Sequence, residues 1–330
     1  MPAKSPSARV SPWIVLAMLA MVAVPAGMTL HTVRAPGVLQ VASENPTPDG
    51  YTWSLLLFVV PIAAIAGWLL PSEGIEVPKR AFWWTIGILT PLGCALDFFF
   101  AHRFFVYPNR GATLGIGAPA LGGPVPVEEY VFYFTGFLAV LLLYLWLAEY
   151  WLAAYSVTVD AQAERGAGHG PGRLLGFHPA SAVAGAALIA LVIAYKKVLS
   201  PEPAGFPGYF VFLVAGALVP SSMLFPAARR RINWRALSVT MFLVVLISVI
   251  WEATLAVPYG WWGFQHGAMV GVFIGAWAGL PVEEVVVWVA VTWATVIVYE
   301  VVKGLAATGR PGGTGRPGGT GRPGERASHW

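Results

Sequence analysis

The sequence predicts an all-α fold: a polytopic membrane helix bundle built as a tandem repeat of about four transmembrane helices per half. Three observations predict it. Of the 330 residues, 57% are apolar and only 11% are charged, against about 25% charged in a soluble domain. Mean hydropathy is +0.68, and apolar stretches near the ~18–20 residues that cross a bilayer recur along the chain. One motif, Pro-Val-Glu-Glu, occurs twice, at 126–129 and 281–284, each time at the mouth of an apolar run.

In order, the expected spans are 12–31, 52–70, 81–101, 127–150, 180–198, 208–225, 236–256 and 282–303. The first follows Lys4 and Arg9, as a signal peptide would. A polytopic protein needs no cleaved signal, so this stretch is read as a retained helix. The segment 267–280 carries Gly267, Gly271, Gly275 and Gly279. This four-residue glycine stripe reads as a short, tightly packed or re-entrant helix. If it spans, the count becomes nine. Residues 158–178 form a polar linker, and 305–330, with its repeated TGRPGG, is a tail too rich in Gly and Pro to bury a core. The first repeat is then 1–157 and the second 179–304.

Eight spans put both termini on one side. The N-terminus, the even-numbered loops and the C-terminus hold fifteen of the 20 Lys and Arg, and the other loops hold five. With the cluster at 229–235, this bias predicts an integral membrane protein with both termini cytoplasmic. The net charge is only +4 and the basic residues lie in loops, so they set topology and do not form a nucleic-acid footprint. The single cysteine, Cys94, forms no internal disulfide and reads as a small packing residue.

The two motifs are 155 residues apart. The same shift, without gaps, takes Asp97 to Glu252, Pro71 to Pro226, and 52–70 onto 208–225. Residues 51–149 and 206–304 therefore correspond. Four spans per half make the repeats parallel, with both motifs at one membrane face.

Pro-x-Glu-Glu before an apolar run is also an ordinary helix start, since Pro suits the first position and acids complement the positive dipole end. Three features exceed that role. The flanks are apolar, and an ionisable group within a membrane is costly and functional by default. Two acids stand where one would cap. A third acid, Asp97 or Glu252, ends the preceding span at the same depth. The candidate catalytic residues are thus Glu128, Glu129, Glu283, Glu284, Asp97 and Glu252. Adjacent helical residues point about 100° apart, so one Glu of each pair faces a given cavity, and Glu129 and Glu284 are favoured. Clustered carboxylates in a low-dielectric site cannot all ionise, which sets a protonated acid beside a base. Aromatics crowd the acids. Some suit an interfacial belt; Trp251, Trp262, Trp288 and Tyr107 are candidates for a cation-stabilising wall. His102 and His266 lie at non-matching positions in the loops before the motifs, and no metal site is assigned.

The duplicated motif, the upstream acids and the compact helical halves resemble the flavin-independent lycopene cyclases. Those occur in bacteria as two small subunits and in archaea and fungi as fusions, and the resemblance covers about residues 12–304. Asp97 against Glu252 departs from strict equivalence of the halves. The resemblance implies a bacterial cytoplasmic-membrane enzyme that closes rings at the ends of a lipophilic carotenoid, without cofactor or net redox change. A protonated carboxyl adds H⁺ to the terminal double bond, the internal alkene attacks the tertiary cation, and a second carboxylate removes a proton. The implied partners are the carotenoid, the bilayer and other carotenoid-pathway enzymes, and no nucleic acid. The alternative is a proton-coupled transporter, which also has repeats and intramembrane carboxylates. A prenyltransferase would need Asp-rich motifs for Mg²⁺ and diphosphate, and only Asp49, Asp97 and Asp160 are present. The GIGAPA stretch at 115–120 follows no strand, so a dinucleotide site is discarded.

Overall fold

A computed structural model describes residue 16 and residues 48–71, 77–156 and 178–308. Among these the chain forms α1 (Gly50–Leu69), α2 (Lys79–Phe104), α3 (Val127–Trp151), α4 (Pro179–Val198), α5 (Gly208–Met223), α6 (Trp234–Ala256) and α7 (Val282–Thr308). All except α5 are long and apolar enough to cross a membrane, which makes the protein a membrane-embedded all-α bundle. Apart from residue 16, the expected span 12–31 lies outside the described residues, as do nearly all of the linker and the tail beyond Thr308. The α7 helix reaches Thr308, so the tail begins later than position 305.

Pairing of apolar faces decides which helices lie inside. The helices α3 and α7 pack against each other at the centre; α3 also packs on α1 and α2, and α7 on α5, α6 and α2. The main core joins Ile62, Phe82, Leu141, Leu145, Ile297 and Tyr299 from α1, α2, α3 and α7. Outward faces carry bare apolar side chains such as Trp53, Trp84, Leu92 and Phe242, the composition a lipid surface requires. The helix α4 touches mainly α5 and stays peripheral.

Three of the described helices contain a π-helical turn: Leu147–Trp151 ends α3, and the other two lie in α5 and α6. The last turn of α6, Glu252–Ala256, is π-helical, as is Leu213–Leu218 within α5. Such turns insert one residue per turn and re-aim side chains. In α5 the interruption precedes Pro220, which lacks the N–H a regular helix uses. The expected span 208–225 is therefore a shorter, interrupted helix of 16 residues.

The glycine stripe at 267–280 is not a helix. It forms a 3₁₀ turn at His266–Ala268, then β5 (Phe273–Ile274) paired antiparallel with β6 (Leu280–Pro281). Positive φ angles at Gly271 (92°), Ala278 (54°) and Gly279 (71°) are incompatible with helix. The first half repeats this loop, with β2 (Gly117–Ala118) paired to β3 (Val125–Pro126). The two loops are joined by β1 (Phe105–Val106) and β4 (Gly263–Phe264), which pair antiparallel with each other. Those loops close the end of the bundle where α2 and α6 finish and α3 and α7 begin.

The repeat is not gapless. Positive φ at Gly115, Gly122 and Gly123 matches that at Gly271, Ala278 and Gly279 at a shift of 156, whereas the motifs match at 155. Pro124 is the extra residue. The pairs Gly50-Tyr51 and Gly208-Tyr209 begin α1 and α5 at a shift of 158, so Tyr209 stands opposite Tyr51 and not opposite Ser54.

Candidate functional site

Each Pro-Val-Glu-Glu motif runs from a β-bridge into the first helical turn. Pro126 and Pro281 end β3 and β6, and the two glutamates follow at once. The first Glu of each pair turns back to its loop. Glu128 Oε1 accepts the Leu114 N–H at 2.8 Å and the Thr52 hydroxyl at 2.5 Å. Glu283 Oε1 accepts the Val270 N–H at 2.6 Å. Leu114 and Val270 are the same loop position at the shift of 156. The fully buried Lys196 of α4 lies near Glu283.

The second Glu of each pair points inward. Glu129 and Glu284 line one cavity together with Glu252. The rest of the wall is Phe105, Phe132, Tyr133, Phe137, Tyr209, Trp262, Trp288 and small or aliphatic side chains. Both halves thus contribute carboxyls to a single space. Glu252 adjoins Glu284, and Asp97 stands beside Glu129. Tyr51 faces Glu129, and Tyr209 faces Glu284. Asp97, Glu128, Glu129, Glu252, Glu283 and Glu284 each keep one buried carboxylate oxygen without a hydrogen-bond partner among the described residues. Orphaned polar atoms of this kind are rare in structural roles and need a reason.

The upstream acids are held in matching ways. Tyr133 donates to Asp97 Oδ1 at 3.2 Å, and Trp288 Nε1 donates to Glu252 Oε1 at 2.7 Å. Asp97 is buried behind Glu129 and does not line the cavity. Of the aromatic candidates, Trp262 and Trp288 line it. Trp251 stands behind, stacked on Phe132 with centroids 5.6 Å apart, its indole N–H donated to Ser54 at 2.6 Å. Tyr107 does not reach the cavity. It is partly buried near Glu129 and Asp97, and loss of hydration, then those acids, push its hydroxyl pKa above the ordinary tyrosine value. Trp277 and Phe98 to Phe100 are exposed and belong to the outer surface. The loop histidines serve their loops: His102 bonds the Gly123 carbonyl at 3.0 Å, and His266 pairs with Glu202 at 3.3 Å.

The sequence reading missed Tyr51, Tyr209, Tyr133 and Phe132. Two signals were present. Tyr133 stands 155 residues before Trp288, and Gly-Tyr opens the first helix of each half. Comparison with protein-family models, curated proteins and solved structures finds no match to this chain.

Proposed function

We propose that this chain is a carotenoid end-group cyclase of the flavin-independent lycopene cyclase type, acting in the bacterial cytoplasmic membrane with both termini in the cytoplasm. The observation that carries this reading is the convergence of Glu129, Glu252 and Glu284, from both halves, on one otherwise aromatic and aliphatic cavity. Protonation of an alkene needs a neutral acid in a dry space. Two adjoining carboxyls in a water-poor site cannot both carry charge, so the Glu252–Glu284 pair retains a proton to give. That proton adds to the terminal carbon–carbon double bond of an acyclic carotenoid and leaves a tertiary cation. The internal alkene attacks it and closes a six-membered ring. The π-faces of Phe132, Trp262 and Trp288 favour the positive charge without offering a nucleophile. Glu129, across the cavity, removes a proton and restores the double bond. One proton enters and one leaves, so the reaction needs neither flavin nor nicotinamide. The substrate reaches the site from the bilayer, and other carotenoid-pathway enzymes supply it.

Expression in lycopene-accumulating cells followed by pigment chromatography tests the reading. Ring-bearing carotenoid is expected, and unaltered lycopene beside well-expressed protein overturns it. One observation favours the rival, a proton-coupled transporter: the π-interrupted α5 is a discontinuous helix. Proton flux into vesicles with no change in pigment would decide for that alternative.

A further inference from the structure

Side chains from three helices form one hydrogen-bonded row along the carboxylate cavity. Trp288 of α7 donates to Glu252 of α6 at 2.7 Å. Glu252 and Glu284 of α7 bond each other, and Tyr209 of α5 bonds Glu284. All four line the cavity. Donor capacity fixes the order of the row. An indole N–H only donates, an ionised carboxylate only accepts, and two carboxyls bond each other only when one is protonated. A donor therefore stands at one end and a proton lies between the acids. At the other end the phenol is free to donate to Glu284.

The first half does not repeat this end of the row. Tyr51 begins α1 as Tyr209 begins α5, and it faces Glu129. Its ring, however, is enclosed by Trp251, Trp261 and Trp262, with centroids 6.1, 5.5 and 5.2 Å away. It does not line the cavity, and its hydroxyl makes no hydrogen bond of ordinary geometry among the described residues. Tyr209 packs on Phe104 and Phe105 at 5.3 and 5.1 Å and still reaches the cavity. Gly208 lets Phe104 come close, since a Cβ there would stand 3.1 Å from that ring.

Resting on the cyclase reading, we propose that Tyr209 is the positioning residue of the proton donor: its hydroxyl orients the Glu284 carboxyl in the cavity and stabilises the carboxylate that proton transfer leaves. In that step the Glu284 O–H bond breaks and a C–H bond forms at the terminal alkene carbon. The positive charge appears on the adjacent tertiary carbon, and the negative charge stays on Glu284. Two adjoining carboxylates result, a state that repulsion opposes. The cation formed in the same cavity offsets it, as do the Trp288 N–H on Glu252 and the Tyr209 hydroxyl on Glu284. Tyr209 keeps its own proton throughout. Its bond goes to a neutral acid before the transfer and to an anion after it, and bonds to an ionised acceptor are roughly twice as strong. The gain falls in the transition state, where it raises the rate and leaves substrate binding unchanged.

The test uses full-length protein in lipid, with lycopene as probe. Quenching of tryptophan fluorescence reads binding, since Trp262 and Trp288 line the cavity. Single-turnover chromatography reads ring formation, and thermal melting reads folding. The infrared carbonyl band of the protonated carboxyl, assigned by its loss in Glu284→Gln or Glu252→Gln, reads the hydrogen bond without need of turnover. Tyr209→Phe keeps the ring and removes the hydroxyl. It is expected to fold and to bind lycopene as the wild type does. Ring formation should slow by about 100-fold, the scale for one donor to a developing anion. The band should move to higher wavenumber, as a carbonyl freed of a donor does. Tyr51→Phe is expected to slow the reaction less and to leave the band in place. Tyr155→Phe, in an exposed ring beyond the far end of α3, controls for the exchange itself. An unmoved band in Tyr209→Phe, a rate loss no greater than that of Tyr51→Phe, or a loss due to weaker binding overturns the proposal and leaves the cyclase reading standing. Wild-type protein that binds lycopene without closing rings sinks the cyclase reading, and the band still decides whether Tyr209 holds Glu284. If neither glutamine variant loses a band, both are overturned.

Discussion

Trp288 donates its indole N–H to Glu252 at 2.7 Å, and Tyr133, its counterpart 155 residues earlier, donates its hydroxyl to Asp97 at 3.2 Å. The repeat keeps the geometry and changes both partners. An indole is a donor only, whereas a phenol can also accept. Glu252 lines the cavity and Asp97 stands behind it. The halves thus present unlike carboxyl environments to one space, as an acid and a base would require.

Trp288→Phe keeps an aromatic face and removes the donor to Glu252. A buried acceptor that loses its partner costs about 1–3 kcal/mol. A lower melting temperature is expected, with a ring-forming rate down by roughly tenfold. Tyr133→Phe breaks a longer bond to an acid outside the cavity, so its effect on rate is expected to be smaller. Melting curves and single-turnover assays on both variants check this. The opposite order would contradict the assignment of Asp97 as a supporting acid.

Glu128 and Glu283 are expected to behave as loop anchors. Glu128→Gln retains an acceptor oxygen for Leu114 and Thr52 and should keep ring formation within about tenfold of wild type. Glu128→Ala leaves the Leu114 N–H without its partner and should lower stability by about 1–3 kcal/mol. The comparison to make is with Glu129→Gln in the same assay. Equal loss of rate in Glu128→Gln would place Glu128 in the chemistry.

Much of this was legible because helices carry their register in apolar periodicity. The 155-residue shift brought Asp97, Glu252 and both motifs to one end of the bundle, and the ~100° between adjacent residues separated Glu129 from Glu128. The loops were not legible in the same way. A glycine every fourth residue at 267–279 fits a packed helix as well as a chain of turns, and only the positive φ at Gly271, Ala278 and Gly279 decides between them. The tyrosines facing Glu129 and Glu284 were hidden by the three-residue offset between Tyr51 and Tyr209, which a gapless alignment places out of step.

The charge bias predicts that the N-terminus, the C-terminus and the 226–235 loop lie inside, with the Pro-Val-Glu-Glu ends of α3 and α7 facing outward. Reporter fusions at residues within 32–50 and at 305 check this. The first group is expected outside and the second inside. Fusions at 32–50 and at 305 reporting the same side would require an even number of crossings between them and would rule out the seven spans expected there.

The two halves share one cavity, and that sharing has a sharp consequence. Glu129 comes from α3 and Glu284 from α7, and both line the same space with Glu252. If one supplies the proton and the other removes it, neither half can close a ring alone. Glu→Gln preserves shape and hydrogen-bonding capacity while removing the ionisable proton. Glu129→Gln and Glu284→Gln are each expected to abolish ring formation at both ends of the substrate, with a loss of more than about 100-fold, as for removal of a general acid or base. Chromatography of the products from each single variant is the measurement. Two independent sites would give a different pattern: each variant would disable one half and leave the other working. Because a symmetric substrate offers two equal ends, either surviving half would go on closing rings. A single variant that still makes ring-bearing carotenoid at a near-normal rate would therefore refute the shared site. Mixing the two single variants adds nothing if each chain needs both of its own carboxyls, so restored activity in the mixture would mean that the working cavity forms between chains.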